Sequence, residues 1–435
     1  QGGFQAWIVG GGVRDLLLGL KPKDFDVATD ATPDQVRKLF RRSRIIGRRF
    51  QIVHVLHGRD TIEVSTFRSM QPAAETDEHG RVLRDNVWGT QAEDAARRDF
   101  TINALYYDPV SDTLLDYHDG VKDMQRRTLR MIGDPASRYR EDPVRMLRVA
   151  RFAAKLGFAV EPKTQQPIHT LKDLLHNVPA ARLFDEMLKL LLSGHAMACL
   201  QELRRQGLHH GLLPMLDVIL EQPDDERFVQ AALAATDARV LADKGVSPGF
   251  LFAALLWQPV RVRWQAAAAE GGHSIPALAE AIESVLDEQA GRLAIQRRFI
   301  GDMREIWMMQ PRFERRSGRS PHALVAHPRF RAGWDFLMLR CDSGEIPGEL
   351  GQWWHDFSQA DAAERQAMLE RSVASGATAK KRKRRSRRRS GSSPESGSDS
   401  AADASDARTP GSDSVAAHDD VRPVGARAAG NDASS

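Results

Sequence analysis

Up to about residue 130, apolar side chains recur at every second position, in short runs separated by glycine, proline and aspartate. That is the pattern of β-strands in a mixed α/β region. Ile8-Val9 reads as the end of a buried strand, Gly10-Gly11-Gly12 as a turn, and Val13 to Leu18 as a short helix stopped by Gly19. Phe25-Asp26-Val27 opens a second strand. Thr32-Pro33-Asp34-Gln35 is a capping box with proline at the first helical position, starting a helix to about Arg42. Ile45-Ile46, Gln51 to Leu56 and Thr61 to Phe67 read as strands, and Asp108 to Thr113 as a turn between strands at Ala104 to Tyr107 and Leu114 to Tyr117. Successive strands with few helical crossovers predict a small, mixed or largely antiparallel sheet. From Asp142 the apolar period becomes that of helices. Asp142 is expected to cap a helix with Pro143 first and Gly157 at its end, followed by helices over Pro179 to Leu192 and Ala196 to Gln206. The fold class expected is α+β: a mixed or antiparallel sheet with helices, then an all-α body to about residue 375.

Candidate chemistry concentrates in IVGGGVRDLLLGLKPKDFDV, residues 8 to 27. Side chains two apart on a strand share a face, which sets Asp24 and Asp26 side by side, about 7 Å apart along the chain. Neighbouring carboxylates repel unless a cation lies between them. Mg²⁺ suits such a pair, being held by one or two carboxylates plus substrate phosphates. Gly10 and Gly11 offer bare backbone N–H groups at a helix start, an anion site to which Arg14 adds a cation. The motif thus predicts a polyphosphate with its metal ions. Arg97 and Arg98 carry forks suited to phosphate oxygens. On the helix after Pro143, Arg145, Arg148 and Arg151 recur every third residue, opposite Val144, Leu147, Ala150 and Leu156, with Glu141 and Asp142 at its start. His118 and His209-His210 have no partners at ligand spacing and read as surface or turn residues.

The glycine pair followed by D-x-D resembles the nucleotidyltransferase superfamily. Its longer form is similar to the class II branch, which holds tRNA CCA-adding enzymes and bacterial poly(A) polymerases. TIEVSTFR (61 to 68), RRDFTINALYYD (97 to 108) and REDPVRMLRVARFAAKLGF (140 to 158) match three further motifs of that branch in order. The resemblance implies a nucleotidyltransferase head and an active-site role for Asp99, at the ribose or behind the catalytic carboxylates. It also implies reading of the incoming base by Asp142, Arg145 and Arg148. A third carboxylate is usual; Glu63 and Asp99 are both candidates, and the sequence leaves the choice open. Gly47-Arg48-Arg49-Phe50 has the form that the polymerases carry. No H-D domain signature, which some CCA-adding enzymes carry, is visible. The activity implied is template-independent transfer of AMP from ATP to the 3′-hydroxyl of RNA, with release of pyrophosphate by a two-metal mechanism, in RNA processing and decay. The alternative is a tRNA CCA-adding enzyme using CTP and ATP; another class again is a catalytically dead RNA-binding protein, against which the intact D-x-D stands.

Composition adds limits. The 435 residues are 42% hydrophobic and 28% charged with net charge +4, enough for several domains. The expected division is a head over 1–135, a nucleotide-reading neck over 136–200, a helical body over 201–375 and a tail over 376–435. No run of apolar residues approaches the ~18 of a membrane helix. Cys199 and Cys341 read as small buried residues of a reducing cytoplasm. Lys380 to Arg389, KKRKRRSRRR, precedes a Ser/Gly/Asp/Ala-rich stretch that cannot bury enough to order itself, so a disordered basic-then-acidic tail is expected. The block fits salt-sensitive RNA contact. Partners expected are RNA 3′ ends, ATP, and RNA-decay or RNA-chaperone proteins. A strand almost directly after Gln1 predicts that sequence precedes it.

Overall fold

Strand alternation and β-branching place the early runs in one sheet. The strands are β1 (Ala6–Val9), β2 (Asp26–Thr29), β3 (Ser43–Ile46), β4 (Ile52–His57), β5 (Asp60–Thr66), β6 (Glu75–Thr76), β7 (Val82–Arg84), β8 (Leu105–Asp108) and β9 (Thr113–Asp116). All but β6 and β7, which pair with each other, form a seven-stranded sheet in the order β3-β4-β5-β2-β1-β8-β9. Only the β2–β5 pair is parallel, so the sheet is mixed, as the sequence led one to expect. Its faces are covered by short helices: α1 (Gly11–Leu17), α2 (Pro33–Leu39), α3 (Gln91–Arg97) and α4 (Gly120–Gln125). Thr32 and Gln35 form the expected capping box of α2, and Thr90 and Glu93 form another on α3.

The computed structural model describes residues 2–47, 51–58, 60–70, 75–76, 82–84, 87–208, 226–270, 274–290 and 295–372. Arg48-Arg49-Phe50, His209-His210, the 380–389 basic block and the 376–435 tail lie outside the described residues. Gln1–Ser375 forms one compact unit.

Helices follow the sheet: α5 (Pro135–Glu141), α6 (Val144–Leu156), α7 (Pro162–Leu171), α8 (Ala180–Leu191) and α9 (Ala196–Arg205), then a helical body from Glu226 onward. Helix α6 ends at Gly157 with φ 64, as its sequence signals. Its buried side is wider than a single stripe: besides Val144, Leu147, Ala150 and Leu156, it buries Met146, Val149, Phe152 and Ala153. One hydrophobic core runs from Val13, Phe100 and Ile102 at the sheet through α6 and α8 to Trp257 and Phe336 in the body. Burial of a large aliphatic or aromatic side chain contributes about 1.5–3 kcal/mol, so this shared core fixes α6 firmly against the sheet. Among the described residues no helix is long and apolar enough to cross a membrane. Cys199 is buried and Cys341 half-buried, both as free thiols.

Candidate active site

The glycine run does more than turn. Helix α1 already includes Gly11 and Gly12, earlier than the sequence suggested, and only Gly10 lies outside it, at φ 73. A Cβ on Gly10 would be strained at that φ and would stand 3.4 Å from Arg98 Nη1. A Cβ on Gly12 would stand 3.2 Å from the Asp24 carbonyl oxygen and 3.1 Å from the Phe25 ring. Its absence lets the Asp24–Phe25 backbone lie against the start of α1. The carboxylate segment and the glycine turn are therefore in contact through a missing side chain.

Strand β2 begins at Asp26, so Asp24 sits just before the strand rather than on it. Asp24 is exposed and Asp26 half-buried. In the β2–β5 register Asp26 lies opposite Glu63, and in the β4–β5 register Glu63 lies opposite His54. The His54 ring nitrogen is 3.1 Å from Glu63 Oε1. Burial, then the charges of Glu63 and Asp24, push the Asp26 carboxyl up from 3.8 to about 6, while Arg98 pulls it down. Three carboxylates thus gather where β2 begins, and the middle one resists ionisation through burial first and its negative neighbours second. Among the described residues no three His, Cys, Asp or Glu side chains close into a metal cage. Asp24 and Asp26 by themselves supply carboxylate oxygens, the donor type a hard cation takes together with substrate oxygens.

Arg98 is clamped beside the glycine turn. Its Nε donates to the Tyr106 hydroxyl (3.0 Å), its Nη2 donates to Asp94 (3.0 Å), and its guanidinium lies over the Tyr106 ring at 5.1 Å. Asp94 is 1% exposed and also accepts from the Tyr106 hydroxyl at 2.6 Å. Burial opposes the charge of Asp94, but Arg98, Arg68 and the Tyr106 hydrogen bond hold it below the usual carboxylate range. Arg97 points elsewhere, donating from Nη1 to the Ser69 carbonyl.

Three residues that the sequence offered to the ligand are engaged with one another instead. Arg14 is 3% exposed. Its guanidinium donates to Asp15 (2.6 and 2.8 Å) and to Asn103 Oδ1 (2.6 Å), and it lies over Phe152 at 5.2 Å. Asn103 Nδ2 donates to Asp99 Oδ1 (3.1 Å), which also accepts from the Phe100 backbone N–H (2.8 Å). Asp99 Oδ2 accepts from Arg148 Nε (2.8 Å) and Nη2 (2.5 Å). Four donors occupy the roughly four acceptor positions of a carboxylate. Burial disfavours its charge, yet Arg148 and these bonds hold Asp99 well below the usual carboxylate range. Asp99 is therefore set apart from the Asp24–Asp26–Glu63 row, and Arg14, Asn103, Asp99 and Arg148 tie α1 to α6.

The base-reading end differs. Asp142 does not cap α6 with its side chain. Its Oδ2 accepts from Arg182 Nη2 at 3.0 Å, and its Oδ1 is buried without a hydrogen-bond partner. A buried acceptor left unmatched costs about 1–3 kcal/mol, which marks Oδ1 as an atom suited to a ligand donor. Arg145 Nη1 donates to the Arg138 carbonyl (2.7 Å) and to Glu141 Oε2 (3.1 Å). Sequence reasoning missed Arg138. Its Nη2 donates to the carbonyls of Arg97 (2.5 Å) and Arg98 (2.8 Å), the orphan acceptors at the end of α3, and its Nη1 donates to Glu141 (2.7 Å). Arg138 thereby joins the phosphate-side Arg98 to the base-side Arg145. A preference of Arg for helix C-termini was the one local signal.

Comparison with known proteins agrees with this geometry. Residues 6–130 match the poly A polymerase head domain, 157–220 the probable RNA and SrmB-binding site of polymerase A, and 270–390 the polymerase A arginine-rich C-terminus. Poly(A) polymerase I of Haemophilus influenzae is 46% identical over 380 residues, covering 85% of this chain and 84% of that protein. The CCA-adding enzyme of Bacillus pumilus is 40% identical over 189 residues, covering 43% of this chain and 46% of that one. A crystal structure of the Bacillus stearothermophilus CCA-adding enzyme in complex with CTP superposes with a TM-score of 0.56 at 26% identity, covering 84% of this chain and 79% of that one. Extensive identity to a polymerase and a nucleotidyltransferase fold point the same way: the chain belongs to the poly(A) polymerase family and is a polynucleotide adenylyltransferase.

Proposed function

We propose that this protein adds AMP from ATP to the 3′-hydroxyl of RNA, without a template, with release of pyrophosphate. The observation that carries the reading is the row Asp24–Asp26–Glu63 lying against a glycine turn, with Asp26 pushed up to about 6 by burial and by its acidic neighbours. Asp24 and Asp26 would hold Mg²⁺, while Glu63, opposite Asp26 and paired with His54, adds negative charge beside them. Divalent ions bound there would stabilise phosphate oxygens as Lewis acids and favour ionisation of the attacking hydroxyl, as in two-metal sites.

The chain's own groups do the rest. The backbone amide of Gly11 at the start of α1, with Arg98 beside the turn, binds the triphosphate; the Gly10 N–H, which the sequence also offered, instead donates to the Leu105 carbonyl at 3.2 Å. Arg14 supports that turn from beneath, and Arg97 acts through the segment it braces. Asp142 Oδ1 accepts from the adenine amino group while Arg145 donates to the ring nitrogen, as a pairing base would. Asp99 and Arg148 act as positioning residues, holding α6 at a set distance from the glycine turn. The head over 1–135 performs the chemistry, the neck over 136–200 reads the nucleotide, and the body over 201–375 and tail over 376–435 hold RNA. We place the activity in the cytoplasm, in mRNA processing and decay, with RNA-decay or RNA-chaperone proteins as partners.

Shared residues for base recognition keep the CCA-adding reading in play, and a solved CCA-adding enzyme shares the fold. The relatives that span most of the chain are poly(A) polymerases, whereas the CCA-adding sequences match less than half of it. Extension of a labelled oligoribonucleotide with each single nucleotide decides between them. Long ladders with ATP alone support polyadenylation; a three-nucleotide stop on tRNA with CTP plus ATP overturns it.

A further inference from the structure

The two faces of the sheet differ beyond β2. On one face Val27, Val64, Val53 and Ile45 lie in register across β2, β5, β4 and β3 and pack with Val36 of α2. Residues one position along point to the opposite face. There the same four strands bring Asp26, Glu63, His54 and Arg44 into a single row. Neighbouring strands lie about 4.8 Å apart, so Arg44 on the edge strand stands about 14 Å from Asp26. Glu63 and Arg44 are exposed and His54 is half-buried. Among the described residues Arg44 forms no ion pair. The row therefore leads from the catalytic carboxylates to an open cation at the rim.

Strand order gives this row a direction. β1, with the glycine turn that follows it and Arg98 beside that turn, lies on one side of β2; β5, β4 and β3 lie on the other. In an in-line displacement the attacking oxygen enters opposite the leaving group. With the triphosphate at the glycine turn, the acceptor reaches Asp24 and Asp26 from the β5 side, over Glu63 and His54. Its last ribose carries a 2′-hydroxyl on the carbon next to the attacking 3′-oxygen. That hydroxyl both donates and accepts, and it is what distinguishes RNA from DNA at a site. His54 Nε2 is 3.1 Å from Glu63 Oε1. A neutral ring that donates from Nε2 to Glu63 keeps Nδ1 as an acceptor, the partner a hydroxyl needs.

We propose that His54, oriented by Glu63, binds the 2′-hydroxyl of the acceptor's last nucleotide, and that Arg44 meets a phosphate farther up the same strand. His54 is then the residue that prefers a ribose end to a deoxyribose end, and Glu63 is a positioning residue. The assignment rests on the reading that an RNA 3′-hydroxyl is the acceptor. It gives a role to the side of the sheet that faces away from the incoming nucleotide.

The test uses the full chain, ATP, Mg²⁺ and two labelled oligoribonucleotides that differ only in the last sugar, ribose or 2′-deoxyribose. Wild type should favour the ribose end about tenfold in kcat/KM, the order of one hydrogen bond. His54→Ala should abolish that preference by losing activity on the ribose end alone, with KM for ATP and the melting temperature unchanged. His54→Gln, which keeps an acceptor, should retain part of the preference, and Glu63→Gln, which loosens the ring, should narrow it. Arg44→Gln should leave the preference intact and reduce the slope of log K against log salt for RNA binding by about 0.7, one phosphate of a single strand. A preference that survives His54→Ala overturns the proposal, as does equal loss on both ends or a matching rise in KM for ATP. A salt slope unchanged in Arg44→Gln overturns the path drawn to the rim. If wild type extends neither primer, the adenylyl-transfer reading fails and takes this assignment with it; if it extends both and His54 makes no difference, this assignment alone fails.

Discussion

Asp26→Asn should make the metal-free protein more stable, and the gain should depend on pH. The Asp26 carboxyl stands at about 6 in the fold against 3.8 outside it, through burial first and then Glu63 and Asp24. The folded state therefore holds this proton more tightly. Its contribution is fully favourable below pH 3.8 and is lost as pH rises through about 6. At neutral pH the ionised carboxylate is a liability. At 1.36 kcal/mol per unit the shift corresponds to about 3 kcal/mol. Asp26 is only half-buried, and screening by solvent reduces this to about 1–1.5 kcal/mol. Denaturant or thermal unfolding with EDTA, at steps from pH 4 to pH 8, gives the comparison. The variant should exceed wild type by that amount above pH 6.5, and the difference should close towards pH 4. Saturating Mg²⁺ should reverse the order, because an ion bound to the native state at about 100 times its Kd adds about 2.7 kcal/mol. A difference that is flat across this range, or a variant less stable than wild type at pH 8 in EDTA, refutes the account of the carboxylate row.

Other outcomes follow from the same geometry. Asp99→Asn leaves Arg148 beside a neutral amide and should cost about 3 kcal/mol of stability, the scale for breaking a buried pair, while raising KM for ATP; rescue by the pair Asp99→Asn with Arg148→Gln in melting experiments checks the coupling. Arg138→Gln frees the Arg97 and Arg98 carbonyls and should raise KM for ATP about tenfold or more with RNA affinity unchanged, since one charged hydrogen bond is worth about 1.5–3 kcal/mol. Asp142→Asn presents an amide to the base and should narrow the preference for ATP over CTP in single-nucleotide extension by about tenfold.

The sequence disclosed what depends on local spacing. Two aspartates two residues apart, a glycine run before a short helix, and a helix ended by Gly157 with arginines every third residue can all be seen without a fold. Glu63 was one of two candidates for a third carboxylate, but only the parallel β2–β5 register sets it against Asp26, 37 positions away, and strand pairing at that separation has no local signature. Arg14 and Arg148 looked like ligand cations because an arginine is ordinarily exposed. Arg14 has one partner beside it, Asp15, but Asn103 lies 89 positions from Arg14 and Asp99 49 positions from Arg148, so the tie between α1 and α6 could not be read nearby. Arg138 was missed for a further reason: besides the nearby Glu141 it binds the backbone carbonyls of Arg97 and Arg98, and a carbonyl has no residue identity to recognise.

The central claim is that Asp24 and Asp26 hold the catalytic ions for adenylyl transfer. Incubating wild type and the Asp24→Ala, Asp26→Ala variant with ATP, Mg²⁺ and a labelled oligoribonucleotide, while measuring RNA binding in parallel, tests it most directly. Wild type should build a poly(A) ladder, and the variant should add nothing while binding RNA nearly as well. A variant that still extends the RNA contradicts it.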